Sequence, residues 1–595
     1  MNIRYVLLAA TISLIGSVNA WAKPEKKPNV ILIVCDDLND YIEGLGGHPQ
    51  AKTPNIERLS RSGVSFTQAH CTIPICAPSR SSFLTGLYPH TSCHFSFDRW
   101  DQNEVLQNSR TLMDHFRVNG YRTLGTGKLM HHLRRQEWVD YGNPADYGPF
   151  AFDGTERMAH PDVPTPYRDI GWVDGSFGPL VNLTRRSFAD GRSYTWKTGG
   201  WQSVRTLRVD SDEDRDLTAD ELNGQWAVSK LRDFAQQPSG KPFFMAVGFI
   251  RPHTPLIVPE RFFKQFPLDR IALPVIRPGD IDDTHARSVR GIPGGKEPDA
   301  ARTQDMGRYL FTNLVASYAS QDEALRRFIQ AYLACVASID EQVGHILDAV
   351  DNTRLKHNTI VLFTSDHGWG MGEKDYLYKN SLWQESTRVP LIVRAPGVAR
   401  AGTTVDHPVS LVDIYPTLVD LCSLTSETKK NDKGRPLDGH SLEPFLADPD
   451  TDTWSGPDEA LTALYKWARH YDPTEQSYAL RSKDWRYIRY SNGKEELYDT
   501  VKDPYEWHNL ADLSEHVACL QAFRKKLMAR VPKLGKPAST TAPKGDVEVW
   551  KATTFVKHPQ ADTNKDGTLT WAELKAYRIK IGELKNGTPG NRSKE

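Results

Sequence analysis

The stretch Asn29–Asp37, NVILIVCDD, is an unbroken apolar run that ends in two carboxylates. No polar residue interrupts it from Val30 to Cys35, so an extended segment here is covered on both faces, as interior strands of a parallel sheet are. Two later stretches repeat the design: KPFFMAVGFIRPH from Lys241 to His253 and NTIVLFTSDHG from Asn358 to Gly368. Each ends in polar, basic or metal-ligating residues. Open α/β sheets gather ligands outside the carboxyl ends of their strands, so three tips far apart in sequence can meet at one site. Helical periodicity lies between them, in TLMDHFRVNG (Thr111–Gly120) and in Arg327–Val350. The fold class is α/β, with a mixed or parallel sheet sandwiched by helices.

Downstream of about Asp438 the pattern changes to short alternating runs. In SYALRSKDWRYIRYSNGKEELYD the tripeptide SNG separates two strand-like segments as a hairpin turn does, which predicts a smaller antiparallel unit. The Pro-, Thr- and Lys-rich segment Lys533–Lys544 reads as a linker. At the other end, MNIRYVLLAATISLIGSVNAWA has an early Arg4, an apolar run from Tyr5 to Val18, and small residues at Val18 and Ala20. That is the composition of an export signal, and the run is too short and too interrupted by Thr11, Ser13 and Ser17 for a membrane anchor. The expected organisation is a signal at 1–22, a catalytic domain at 24–437, a C-terminal subdomain with an antiparallel sheet at 438–532, and a linker with a final segment at 533–595. The exported product is expected in the periplasm or outside the cell.

At 595 residues, with 39% hydrophobic and 25% charged residues, the chain has the composition of a globular protein of more than one packed unit. Basic and acidic side chains balance at 74 each, so no global field draws it to nucleic acid, and an anionic substrate must be met by local basic groups. No membrane span is expected. The seven cysteines are too few and too odd in number for a disulfide scaffold, which leaves at least one thiol for another role.

The segment CAPSRSSFLTG, Cys76–Gly86, reads as a helix N-terminus opened by Pro78 and small hydroxyl residues. Backbone N–H groups there favour negative charge, and Arg80 adds a guanidinium able to hold a tetrahedral oxyanion or the residue at position 76. In GYRTLGTGKLMHH (Gly120–His132), Lys128 and His131 stand three apart on a turn and can face one ligand. The strand ends Cys35-Asp36-Asp37 and Ser365-Asp366-His367-Gly368 offer hard oxygen donors and one imidazole, a set that suits calcium or magnesium better than zinc. Near the C-terminus, DTNKDGTLTWAE fits an EF-hand calcium loop: Asp562, Asn564, Asp566, Thr568, Thr570 and Glu573 at the ligand positions, and Gly567 at the sharp turn. DSDEDRDLTADE, from Asp210, has similar spacing but Arg215 in place of glycine, and reads as a loop and helix cap.

Cys-x-Pro-x-Arg followed by Thr85-Gly86 resembles the maturation motif of the formylglycine-dependent sulfatases, and Gly120–His132 resembles that family's other signature. RPHTP from Arg251, Lys379, and ELYDTVKDPYEWHNLA from Glu496 follow in family order, so the resemblance covers most of the chain. FDRWD (Phe97–Asp101), GKLMH, RPHTP and His367 make the iduronate sulfatase branch the closest in appearance. The resemblance implies an alkaline-phosphatase-like fold and the hydrolysis of a sulfate ester, by way of a formylglycine that a maturation enzyme makes from Cys76. It implies a calcium ion held by Asp36, Asp37, Asp366, His367 and residue 76; the second calcium is expected from the spacing of the EF-hand loop itself. It further implies that Lys128 and Lys379 meet the sulfuryl oxygens, that Arg80 supports residue 76, that His253 protonates the leaving group, and that His131 deprotonates the second hydroxyl. His94, Arg99 and Trp100, next to the first signature, are expected as substrate contacts, and a sulfated saccharide as the substrate. Two alternatives stay open on the sequence: a phosphoester hydrolase of the alkaline-phosphatase superfamily, and an unmatured glycan-binding homologue without catalysis. The long insertion Pro144–Asp216 either lines the substrate pocket or elaborates the surface.

Overall fold

The computed structural model describes residues 27–200, 203–237, 240–285, 305–465 and 471–535, together with Gln560 and Tyr577. The export segment and the EF-hand loop at 562–573 lie outside the described residues. The first compact unit runs to Val531, so the stretches expected as a catalytic domain and a C-terminal subdomain pack together, and Pro532–Glu595 forms the second unit.

The strands of the main sheet are β1 (Asn29–Asp36), β2 (Val64–His70), β3 (Arg122–Gly127), β4 (Asp140–Tyr141), β5 (Phe243–Pro252), β6 (Thr359–Ser365), β7 (Arg388–Arg394), β8 (Thr403–Val405) and β9 (Val409–Ser410). Their order is β8-β2-β7-β6-β1-β5-β3-β4, with β9 pairing on β2. β1 sits between β5 and β6, parallel to both, and every residue of β1, β5 and β6 is buried, which is why these three read as continuous apolar runs. β7 runs antiparallel to β6 and β2, so the sheet is mixed.

Register decides where the chemistry collects. Cys35 pairs with Ser365, and Asp36 with Pro252, so Asp36-Asp37, His253 and Asp366-His367 leave the sheet at one edge. β3 pairs with β5 through Gly127↔Gly248 and delivers Lys128 to the same edge. Helix α1 (Cys76–Thr85) is buried along its whole length and starts beside these tips. Helix α2 (Ala219–Gln236) opens with a capping box between Thr218 and Glu221, so the acidic run from Asp210 is the loop and cap its sequence predicted. Helix α3 (Gln321–Asp351) is capped by the Ser320 side chain, which accepts from the Glu323 N–H, and it packs against β5 and α2.

The insertion carries its own small sheet, formed by Phe150–Phe152, Arg157–Met158, Thr195–Thr198 and Arg205–Thr206. The C-terminal part forms the expected antiparallel sheet from Ala460–Leu464, Ser477–Arg481, Trp485–Arg489 and Glu495–Asp499, and Gly493 in the SNG turn has φ +81°. Thr462 Oγ1 donates to the Cys71 carbonyl at 2.6 Å and the Ala463 N–H to the Thr72 carbonyl at 2.8 Å, which ties this sheet to the segment leading into α1.

Candidate active site

Asp37 follows β1 in the left-handed region, at φ 66°, a conformation aspartate tolerates better than most residues but at some strain. The turn is held by Tyr332 of α3, whose hydroxyl donates to the Asp37 carbonyl at 2.7 Å and accepts the Asn39 N–H at 3.0 Å. The Leu38 N–H donates to Ser365 Oγ at 2.9 Å, which locks this turn to the end of β6. Both carboxylates thereby face the start of α1.

Cys76 stands at the centre of the cluster. His367 Nε2 lies 3.3 Å from its sulfur and Lys379 Nζ 3.2 Å from it. Lys379 also donates to Asp37 Oδ1 at 2.9 Å, and the Lys128 ammonium pairs with Asp36 Oδ2. His367 Nδ1 lies 3.2 Å from Asp37 Oδ1. His253 Nε2 lies 3.8 Å from Asp37 Oδ2, while its Nδ1 is 2.5 Å from the Thr254 carbonyl; a proton on Nδ1 is therefore the tautomer that satisfies the ring.

The donor set fits a divalent cation. Asp36, Cys76, Asp366 and His367 place one ligand atom each within 4.8 Å of one another, and Asp36, Asp37, Cys76 and His253 form an overlapping group. Asp36 Oδ1 and Asp37 Oδ2 are buried and take part in no hydrogen bond. Leaving two buried carboxylate oxygens in this state is unfavourable, and a hard cation between them removes the penalty.

The electrostatics match. Burial opposes ionisation of Asp36, but Lys128 foremost, with His253, Arg80 and Lys379, holds its carboxyl well below the usual carboxylate range. Burial pushes Asp37 up to about 8 against the pull of Lys379 and His367, with Asp36 and Cys76 as negative neighbours. Burial and then Asp36 push the Cys76 thiol up, so an unmodified Cys76 is a protonated thiol and a weak nucleophile at neutral pH. Burial and then Lys379 hold His253 well below its ordinary range, and burial with Lys128 does the same for His131. His131 Nδ1 is buried without a hydrogen bond, and its ring packs on Phe97 and His132.

Two expectations need correction. Arg80 gives its hydrogen bonds to the protein rather than to an oxyanion, while its charge still acts on Cys76. Its Nε donates to Asp366 Oδ2 at 2.7 Å, Nη2 to the Cys35 carbonyl at 3.2 Å, and Nη1 to the Lys128 carbonyl. Every nitrogen is spent on the ends of β1, β3 and β6, so Arg80 positions Asp366 from beneath. His94 and Trp100 are likewise engaged elsewhere, whereas Arg99 is exposed. The His94 nitrogens contact Ser81 Oγ at 2.8 Å and the Asp98 carbonyl at 2.9 Å, buried Trp100 donates to the His132 carbonyl at 3.3 Å, and Arg99 pairs with Asp101. His94 braces α1 through Ser81 and Trp100 braces the segment after Lys128 through the His132 carbonyl, so neither ring has a nitrogen left for a substrate.

Residues 28–424 match the sulfatase family model, and residues 372–533 match the model of the N-sulphoglucosamine sulphohydrolase C-terminal region. The chain belongs to the sulfatase family. A sulfatase of Formosa agariphila is 31% identical over 538 residues, covering 89% of this chain and 92% of that one. The iduronate 2-sulfatase of Mus musculus is 28% identical, covering 83% and 93%. The solved structure of BT4656 in complex with D-glucosamine-2-N,6-O-disulfate shares the fold, with a TM-score of 0.58 at 19% identity over 86% of this chain and 99% of that one. This sulfatase is a sulfuric ester hydrolase, which sets aside the phosphoester alternative. Some of its site could not be picked out from motifs: Tyr332 is hidden in the apolar pattern of α3, and Tyr147 comes from the insertion.

Proposed function

We propose that this sulfatase hydrolyses sulfate esters of a sulfated saccharide, with a formylglycine at position 76 and a calcium ion held by Asp36, Asp37, Asp366 and His367. The observation that carries the reading is the convergence on Cys76 of Lys379 and His367, at 3.2 and 3.3 Å, beside two buried carboxylate oxygens that take part in no hydrogen bond. The chemistry of the relatives supports the sulfated-carbohydrate class, since their names include iduronate 2-sulfatase and an ulvan-active sulfatase.

A hydrated aldehyde at position 76 would supply a nucleophile for sulfur and a second hydroxyl for releasing sulfate, and a calcium ion would supply Lewis acidity to both partners. The protein's own side chains do the rest. Lys379, within reach of both Cys76 and Asp37, holds negative charge as it develops on the sulfuryl oxygens, and Lys128 does so from the β3 side. His253 protonates the departing sugar oxygen from Nε2; its ring is neutral in the free protein, and the arriving sulfate anion draws a proton onto it. His131, neutral and with Nδ1 unpartnered, accepts the proton whose loss lets sulfate leave. Cys76, Lys128, His253 and Lys379 are almost wholly buried, which keeps water from the reacting centre, and His131 stands at its partly exposed side.

The leader at 1–22 directs export to the periplasm or beyond, where calcium is plentiful, and the loop at 562–573 takes a second calcium as an EF-hand. The test is sulfate release from a panel of sulfated disaccharides by protein produced together with a maturation enzyme. Activity that needs calcium and is lost in Cys76→Ala supports the reading; release by the Cys76→Ala variant at the wild-type rate would reject it.

A further inference from the structure

The insertion places one aromatic ring against two residues that the proposed chemistry uses. Tyr147 is 8% exposed. Its ring meets the His253 imidazole edge-on, with centroids 5.3 Å apart at 71°. Lys128 Nζ lies 4.9 Å from the centroid of the same ring.

The segment that carries the ring is fastened on both sides. Asp146 Oδ1 accepts the Gly148 N–H at 2.9 Å and the Gly199 N–H at 2.5 Å, and its Oδ2 accepts Thr198 Oγ1 at 2.8 Å and Arg205 Nη2 at 2.7 Å. Arg251, two residues before His253, donates from Nη2 to the Gly148 carbonyl at 2.8 Å and from Nη1 to the His253 carbonyl at 3.0 Å. A Cβ at Gly148 would sit 2.5 Å from Thr198 Oγ1, so the backbone passes too close to the insertion sheet for any larger residue. The insertion sheet, Tyr147 and the His253 loop are thereby one hydrogen-bonded assembly, and a surface elaboration has no need of it.

We infer that Tyr147 is a positioning residue that sets His253 and Lys128 relative to each other, its ring fixing the imidazole of the leaving-group acid through the T-shaped contact and steadying the ammonium through the cation–ring contact. The inference rests on the roles proposed above for His253 and Lys128. It gives the insertion a catalytic purpose: the ring can hold the imidazole only because the insertion's own sheet holds the ring. Small displacements of a proton donor cost on the order of 100-fold in rate, which is the scale of effect at stake.

The experiment compares kcat and KM for 4-nitrophenyl sulfate, whose leaving group needs little protonation, with those for phenyl sulfate, whose leaving group needs much more. Wild type, His253→Ala, Tyr147→Phe, Tyr147→Leu and Tyr147→Ala are measured under the same conditions, with melting temperatures taken for each. His253→Ala should lose at least about ten-fold more kcat on phenyl sulfate than on 4-nitrophenyl sulfate. Tyr147→Ala and Tyr147→Leu should show the same selective loss with KM within about three-fold of wild type. Tyr147→Phe, which keeps the ring edge, should lose less than about five-fold and equally on both substrates. Equal losses on both substrates in the Ala and Leu variants, or a change confined to KM, would overturn the positioning role. If His253→Ala itself shows no selective loss, the acid assignment fails first, and that outcome is separate from any result at Tyr147. Because the Leu variant retains bulk, misfolding of the Ala variant alone does not decide the matter.

Discussion

Replacing Arg80 by methionine tests how the strand ends are held together. The guanidinium is 1% exposed and joins Asp366 at 2.7 Å, the Cys35 carbonyl at 3.2 Å and the Lys128 carbonyl, while Asp366 is fully buried. Methionine fills most of the volume but leaves the Asp366 carboxylate without its cation and the Lys128 carbonyl without its donor, while the Cys35 carbonyl keeps the Asp366 N–H at 3.2 Å. Breaking a buried ion pair from one side costs about 3–5 kcal/mol, and the stranded Lys128 carbonyl adds to that figure only in part, since it shares one donor group with Asp366. With an m value of roughly 3 kcal/mol/M, the first urea transition of the calcium-free protein falls by about 1–2 M. Calcium narrows the gap, because a cation at the site gives Asp366 a second partner. Lysine at this position keeps the charge but cannot reach three acceptors from one point, so Arg80→Lys recovers less than half of the loss. A midpoint change equivalent to less than about 1 kcal/mol in calcium-free Arg80→Met would refute the idea that Arg80 clamps the site from beneath.

Other outcomes follow from the charges. Burial raises Asp37 to about 8, so at pH 7 the cation-free carboxyl carries a proton that calcium must displace; titration calorimetry in buffers of different ionisation enthalpy should find about one proton released per calcium at the site, and affinity rising from pH 5 to 8. No proton release would mean that Asp37 is already ionised. His70, His131 and His253 are all held well below their ordinary range, chiefly by burial. The unfolded chain therefore takes up protons below about pH 6.5 that the folded protein refuses, so stability rises with pH through that window and is lost as pH falls below it; thermal melts between pH 4.5 and 7 check the sign. Because the acid form of His253 is the active one, kcat/KM should fall as pH rises from the acidic side. The falling limb of kcat should lie at higher pH, since bound sulfate favours the protonated ring; coincident limbs would remove His253 from the acid role.

The strands that build the site were legible because each is buried on both faces and so is written as an uninterrupted apolar run closed by its functional residue: Asp36 on Asn29–Asp36, His253 after Phe243–Pro252, Asp366 after Thr359–Ser365. Cys76 and Lys128 were legible for a different reason, a local motif beside a helix start or strand end. What a lone guanidinium does is not local. Arg80 was assigned to an anion because arginine at a helix N-terminus suits one, yet its partners come from β1, β3 and β6, and only the register of those strands puts them there. His94 and Trp100 failed likewise: proximity in sequence to Cys76 brought them to the back of α1, where their polar atoms bond to the protein itself. Tyr147 and Tyr332 had no pattern to betray them, one lying in the long insertion and the other on a helix whose inward face is mostly apolar.

The account depends most on what occupies position 76. Fragmentation mass spectrometry of the peptide that spans Cys76, taken from a preparation that releases sulfate, reads this directly. Loss of the sulfur atom and appearance of an aldehyde or its hydrate at that residue is the predicted result. Unmodified cysteine in every molecule of an active preparation would contradict the account.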